Sequence, residues 1–73
     1  MKLDLHGIKH QNVQQELDQF FWKMMNNNKI EYVHIITGQS TKMKTIVYDI
    51  CNEYNFKTTE DYYNSGYVIV YLK

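Results

Sequence analysis

The chain opens on an alternation. In Leu3-Asp4-Leu5-His6-Gly7, Leu3 and Leu5 fall on one face and Asp4 and His6 on the other, as in a short strand whose successive side chains point to opposite sides. This strand begins at residue 2 or 3 and runs into a glycine turn. After Gly7 the period changes. Val13, Leu17, Phe20, Phe21 and Met24 recur at the spacing of one helix face, with Gln14, Gln15, Asp18, Gln19 and Lys23 between them. Asn26-Asn27-Asn28 ends that helix, because asparagine tolerates left-handed backbone and competes for backbone hydrogen bonds.

Residues 30 to 37 are β-branched and aromatic with no internal glycine, which predicts a second strand. Val33 and Ile35 share one of its faces, and Tyr32, His34 and Ile36 share the other. Residues 41 to 54 form a second helix with Ser40 or Thr41 as N-cap. Its apolar stripe is Met43, Ile46, Val47, Ile50, Cys51 and Tyr54. Lys57 to Tyr62 read as a short strand, Asn64-Ser65-Gly66 as a turn, and Tyr67 to Leu72 as a final strand. Both faces of that last strand are apolar, as a central position in a sheet requires.

The order β-α-β-α-β-β over residues 1–73 describes one domain of the α/β class, an α+β two-layer sandwich. A strand-helix-strand unit with a long crossover favours parallel strands and a right-handed connection. With strands one and two side by side, the Asp4-His6-Gly7 corner and the Thr37-Gly38 corner open on the same sheet edge, where α/β proteins place ligands.

At 73 residues the chain buries only about 60% of its unfolded surface, so the core is thin. Seven tyrosines, three phenylalanines and one tryptophan supply large buried areas, and an aromatic-rich core is expected. A single cysteine, Cys51, cannot form an internal disulfide and agrees with a reducing compartment. No apolar run reaches the length of a membrane span, and the immediate first strand leaves no room for a secretion signal. The expected location is the cytoplasm, with no membrane partner.

Eight lysines balance eight acids and there is no arginine, which counts against a purely electrostatic nucleic-acid binder. The charge is uneven, however. Residues 1–48 carry six lysines against four acids, net +2, and residues 49–73 two lysines against four acids, net −2. The first half is the anion-facing half.

The two corners carry the candidate chemistry. A carboxylate two residues before a histidine, beside a glycine free to take positive φ, has the make-up of an orienter and a base. At the second corner, Gly38 permits close backbone approach, and the helix that follows offers unpaired N–H groups at the positive end of its dipole. Lys42 and Lys44 lie in its first turn, where the dipole favours acids. That mismatch is more easily understood with a bound anion than from stability alone; the other reading is that lysines on a short helix simply face water. Cys51 lies in the apolar stripe and reads as a buried small hydrophobe. No carboxylate cluster suited to two metal ions is present. A zinc site from His6, His10 and His34 is disfavoured, because His6 is on a strand and the four-residue spacing to His10 is helical only on a helix. His10 instead caps the helix start or sits near the phosphate.

These residues resemble a known family, the small MutS-related or Smr domain. Leu3-Asp4-Leu5-His6-Gly7 looks like its LDLHG motif without a substitution. Val33 to Thr41 is similar to its second motif, an apolar strand ending in HGxG or TGxG. Met43-Lys44-Thr45-Ile46-Val47 matches the following LRxxV helix with one residue deleted, and Asn64-Ser65-Gly66 with Val68, Val70 and Leu72 resembles the closing turn and strand. Ser40 stands where the second glycine of HGxG is found, and Lys44 stands in place of the usual arginine.

The resemblance implies a fold like the C-terminal domain of translation initiation factor three, with two helices on one face of a four-stranded mixed sheet. It implies an endonuclease, a hydrolase cutting or nicking phosphodiester bonds of RNA or DNA, with Asp4 and His6 as its catalytic pair. Phosphate contacts are expected from Gly7 and His10, and from Thr37, Gly38, Gln39, Ser40, Thr41, Lys42 and Lys44. The reaction so read requires no cofactor and is compatible with one divalent metal ion bound through Asp4. RNA carries its own nucleophile in the 2′-hydroxyl, which tilts the reading slightly to RNA. A different class of function is a non-catalytic module that binds RNA, DNA or the ribosome. With both helices on one sheet face, Tyr32, His34, Tyr67, Ile69 and Tyr71 line the other, which suits base stacking, a protein partner, or a homodimer.

Overall fold

The computed structural model describes residues 1–27 and 29–72. Six elements follow in the predicted order: β1 (Lys2–Asp4), α1 (His10–Met25), β2 (Tyr32–Ile36), α2 (Thr41–Glu53), β3 (Lys57–Glu60) and β4 (Tyr67–Tyr71). They build a four-stranded sheet of order β1-β2-β4-β3. β1 pairs parallel with β2, while β4 runs antiparallel to both β2 and β3. The apolar final strand is therefore central, and the sheet is mixed.

Register follows from alternation. Val33 faces Val70 and Ile35 faces Val68 across the β2–β4 ladder, and all four are buried. Leu5, just past β1, joins them on the same face. Against this face pack Val13, Leu17, Phe21 and Met24 of α1 and Met43, Val47, Ile50 and Cys51 of α2, in one continuous cluster. Fully burying an apolar side chain of this size stabilises the fold by about 1.5–3 kcal/mol. The helices cover this face, and the opposite face carries Tyr32, His34, Tyr67, Ile69 and Tyr71.

The expected aromatic-rich core is corrected. Among the described residues, Phe21 is the one aromatic ring in the buried cluster, with Tyr54 and Phe56 edge-on to it at 5.2 Å each and only partly buried. Tyr32, Tyr62, Tyr63 and Tyr71 lie exposed. The helix stripes supply enough aliphatic volume to fill a core this small, so the amphipathic tyrosines stay at the surface.

The elements are shorter than the sequence predicts, for local reasons. Ile30 turns back, its amide donating to the Asn27 carbonyl, so β2 starts two residues later than position 30. Beyond β3 the chain turns at Asp61, whose carboxylate accepts from the Tyr63 amide at 2.9 Å. The helix ends also differ from expectation. Asn26 caps α1 in right-handed conformation, and Asn27 acts through its side chain, accepting from the Lys29 amide at 3.0 Å. Asn28 lies outside the described residues. Among the described residues the asparagine with left-handed backbone is Asn55, φ 61°, immediately after the C-cap of α2. Among the described residues no helix is long and apolar enough to cross a membrane.

Candidate functional site

The carboxyl ends of β1 and β2 lie side by side, and from this edge both helices start. At the first corner the Ile8 amide donates to the Leu5 carbonyl at 2.9 Å, closing a turn whose centre is His6-Gly7. Gly7 has φ +85°, as the third position of a type II turn demands. The Asp4 carboxylate accepts from the His6 backbone amide at 2.8 Å. Asp4 therefore fixes the backbone on which His6 sits, as aspartates do in turns. The carboxylate thus caps the glycine turn; β1 ends at Asp4, and His6 leaves the strand alternation.

At the second corner Gly38 has φ +69°, and a Cβ placed on it would lie 3.2 Å from Cδ2 of His6. The His6 ring thus lies against Gly38, and the two corners meet. Thr37, only 2% exposed, is part of the frame and cannot touch an outside ligand, contrary to its expected role as a nucleic-acid contact. Its hydroxyl lies 3.0 Å from the Gly38 carbonyl and 3.1 Å from that of Gly66, sharing one proton between them. The amides of Thr37 and Gly38 both donate to the Gly66 carbonyl, at 2.8 and 3.1 Å. The Gly38 amide is thereby engaged within the protein, so the backbone donors left for a phosphate are those of Gln39 to Lys42. Ser40, rather than Thr41, is the N-cap, accepting from the Met43 amide at 3.1 Å.

Sequence reasoning missed the third contributor to this edge, the β3–β4 connection. Gly66 backs onto Gly38 so closely that a Cβ there would meet the Gly38 Cα at 3.2 Å. The Gln39 side-chain amide donates to the Ser65 hydroxyl at 2.7 Å. On this connection Tyr62 and Tyr63 stand 92% and 89% exposed, edge to face at 5.3 Å. Two adjacent tyrosines in a polar loop were a visible signal, but only the fold brings them to this edge.

The edge is electropositive. Neither helix has an acid in its first turn, so the roughly half positive charge at each N-terminus is left uncompensated. Lys9 is the N-cap of α1 and makes no side-chain capping bond. His10 is the first helical residue, not the cap. Lys42 and Lys44 add charge at α2, Lys42 exposed and Lys44 half-buried. Two acids oppose this charge, Asp4 in its turn and Asp61 on the β3–β4 connection, whose carboxyl the Tyr63 amide holds below its ordinary value so that it stays ionised. Among the described residues no group of three or more histidine, cysteine or acidic side chains could hold a metal ion. The histidine triple His6, His10 and His34 is accordingly not assembled. Cys51 is fully buried, and burial pushes its thiol up to about 12, as for an inert structural cysteine.

Compared with known proteins, the chain matches the family model described as Smr domain over residues 3–73. No curated protein and no solved structure matches it. The match takes in the Asp4-His6-Gly7 corner, the Thr37-Gly38 corner and the Gly66 turn that joins them, and the chain belongs to the Smr domain family.

Proposed function

We propose that the protein is a nucleic-acid endonuclease whose reacting phosphate sits at the head of α2, with His6 as general base. The observation that supports this most directly is the imidazole of His6 lying against Gly38, between two helix N-termini without acids. A phosphate at the free amides of Gln39 to Lys42 would meet backbone donors and the side chains of Lys42 and Lys44, the means by which charge developing in phosphoryl transfer is stabilised. His6 accepts the proton of the attacking oxygen, the 2′-hydroxyl in RNA or a water in DNA, as that oxygen bonds to phosphorus and the P–O bond to the leaving sugar oxygen breaks; the leaving oxygen takes its proton from the resulting imidazolium or from solvent. Asp4 is a positioning residue, acting through the His6 backbone. One divalent ion, if used, takes the Asp4 carboxylate as its protein ligand and supplies further charge on the phosphate.

The test is cleavage of labelled single-stranded RNA, duplex DNA and branched DNA by wild type and His6→Ala, with and without EDTA. Wild type is expected to cut at least one substrate and His6→Ala to lose about 10²- to 10⁴-fold in rate. No cleavage by wild type of any substrate, with binding intact, overturns the reading and leaves a binding module. That second reading is favoured by one observation: the Asp4 carboxylate engages a backbone amide, not the imidazole.

A further inference from the structure

The sheet face turned away from the helices carries a ladder of rings. Tyr71 pairs with Tyr32 across the β2–β4 register, His34 follows one rung up, and Tyr67 lies on the rung above that. Ring centroids step by 6.1 Å from Tyr71 to Tyr32, 5.8 Å to His34 and 6.2 Å to Tyr67. Tyr32 is 51% and Tyr71 39% exposed. Lysines flank the ladder on both sides. Lys2 on β1 reaches over the Tyr67 ring, its Nζ 5.7 Å from the centroid, and Lys57 on β3 pairs with Tyr71.

We propose that this open face is a stacking platform for unpaired bases of a single-stranded nucleic acid, which runs rung by rung toward the edge that holds His6. The proposal rests on the reading above only for what happens at that edge. Continuity supports the direction: Asp4, Ile36 and Tyr67 are register partners on the topmost rung, directly below the His6 and Gly38 corners. Charge supports the ligand, since Lys2 and Lys57 bracket the rings where a phosphate backbone would pass. A four-stranded sheet with exposed aromatic residues and helices behind it is the arrangement that RNA-recognition folds use to stack two or three bases. A duplex does not fit, because its bases stack on one another and offer no free face.

Area argues against a second copy as occupant. Four strands of three to five residues, at ~4.8 Å between strands and ~3.4 Å per residue, span roughly 280 Å². A stable protein interface needs about 800 Å² from each partner. The face is large enough for a few bases and less than half of what a dimer requires.

The experiment is fluorescence anisotropy in EDTA with a labelled oligouridine of eight nucleotides, and with an RNA duplex of the same length. The proteins are wild type, Tyr32→Ala/Tyr71→Ala, Tyr32→Phe/Tyr71→Phe and Trp22→Ala, the last on the exposed side of α1. Wild type is expected to bind the single strand more tightly than the duplex. The alanine pair should bind roughly 25-fold more weakly, from about 5-fold or more per stacked ring, while the phenylalanine pair and Trp22→Ala bind as wild type. If circular dichroism shows the alanine pair unfolded, shifts of the Tyr32 and Tyr71 ring protons on titration of wild type carry the test. Equal binding by the alanine pair overturns the proposal, as does preference for duplex. So do absence of binding at about 100 μM, the weak end of non-specific affinity, and a dimeric mass that the alanine pair halves. Single-strand binding lost in the alanine pair, without cleavage by wild type, upholds the platform and removes the nuclease. Cleavage that the alanine pair performs as well as wild type does the reverse.

Discussion

Replacing Gly66 by alanine isolates the contact that joins the β3–β4 connection to the His6 edge. The new Cβ would lie 3.2, 3.3 and 3.3 Å from the Cα, C and O of Gly38, all backbone atoms. No side chain can rotate away, so the Gly38 loop and the Gly66 turn must separate by a few tenths of an ångström. Three hydrogen bonds converge on the Gly66 carbonyl: those from the Thr37 amide, the Gly38 amide and the Thr37 hydroxyl. Each is worth about 1 kcal/mol net, and losing one or two costs about 1–2 kcal/mol. Alanine returns about 0.4–1 kcal/mol by narrowing the unfolded ensemble. The net loss is then roughly 0–1.6 kcal/mol, or up to about 13 °C in Tm for a domain of this size.

Gly7→Ala is the matched control. Nothing lies within 4 Å of its added Cβ, and its cost is conformational, from φ +85°. At about 1–2 kcal/mol for left-handed backbone, less the same entropic return, its stability loss is similar. Hydrogen exchange separates the two variants. Gly66→Ala is expected to accelerate exchange of the Thr37 and Gly38 amides beyond the change in global stability, and Gly7→Ala is not. Unchanged protection of those two amides in Gly66→Ala would refute the coupling.

Other perturbations test other parts of the molecule. Asp4→Asn retains an oxygen acceptor for the His6 amide and should leave urea unfolding unchanged, whereas Asp4→Ala should cost about 0.5–1.5 kcal/mol; loss of cleavage in Asp4→Asn at full stability would show that the charge itself is used. Phe21→Ala removes the ring that Tyr54 and Phe56 meet edge-on and should cost about 3–5 kcal/mol, a large part of the total stability of a small domain, read as a urea midpoint shift. At high pH, the Asp18 carboxylate accepting from the Tyr54 hydroxyl holds that phenol up at about 12, and burial holds Cys51 at about 12. Their stabilisation is complete below the unfolded values, ordinarily 10.0 and 9.0, and is lost as pH rises from about 9 to about 12, because the unfolded chain releases these protons first. Tyr54→Phe and Cys51→Ala should flatten the alkaline arm of the stability curve, and an unchanged arm in the double variant would exclude both groups as its source.

Periodicity carried most of the architecture. The pairing of Val33 with Val70 and Ile35 with Val68, the central place of β4 and the meeting of the two glycine corners all follow from alternation and from the parallel β1–β2 crossover. The site was legible only to the resolution of the corner. Alternation placed His6 on the Asp4 side of a strand, but a glycine that permits positive φ ended the strand two residues sooner, and the carboxylate closed onto the backbone. Thr37 looked like a ligand contact because it precedes Gly38. Its burial depends on a carbonyl 29 residues away, and no local pattern encodes that distance. Gly66 read as an ordinary turn residue for the same reason.

The strand order bears on when the edge at Gly38 is completed during synthesis. β4 is the last of the six elements in the chain, yet it lies between β2 and β3. Until it emerges from the ribosome, β3 has no neighbour to pair with, and the Gly66 carbonyl that gathers Thr37 and Gly38 does not exist. A chain ending at Glu60 would already contain His6, Gly38 and both lysines of α2, but not the Gly66 carbonyl that ties the second corner down. The contacts that the Gly66 carbonyl makes with Thr37 and Gly38 are therefore added late, together with closure of the sheet.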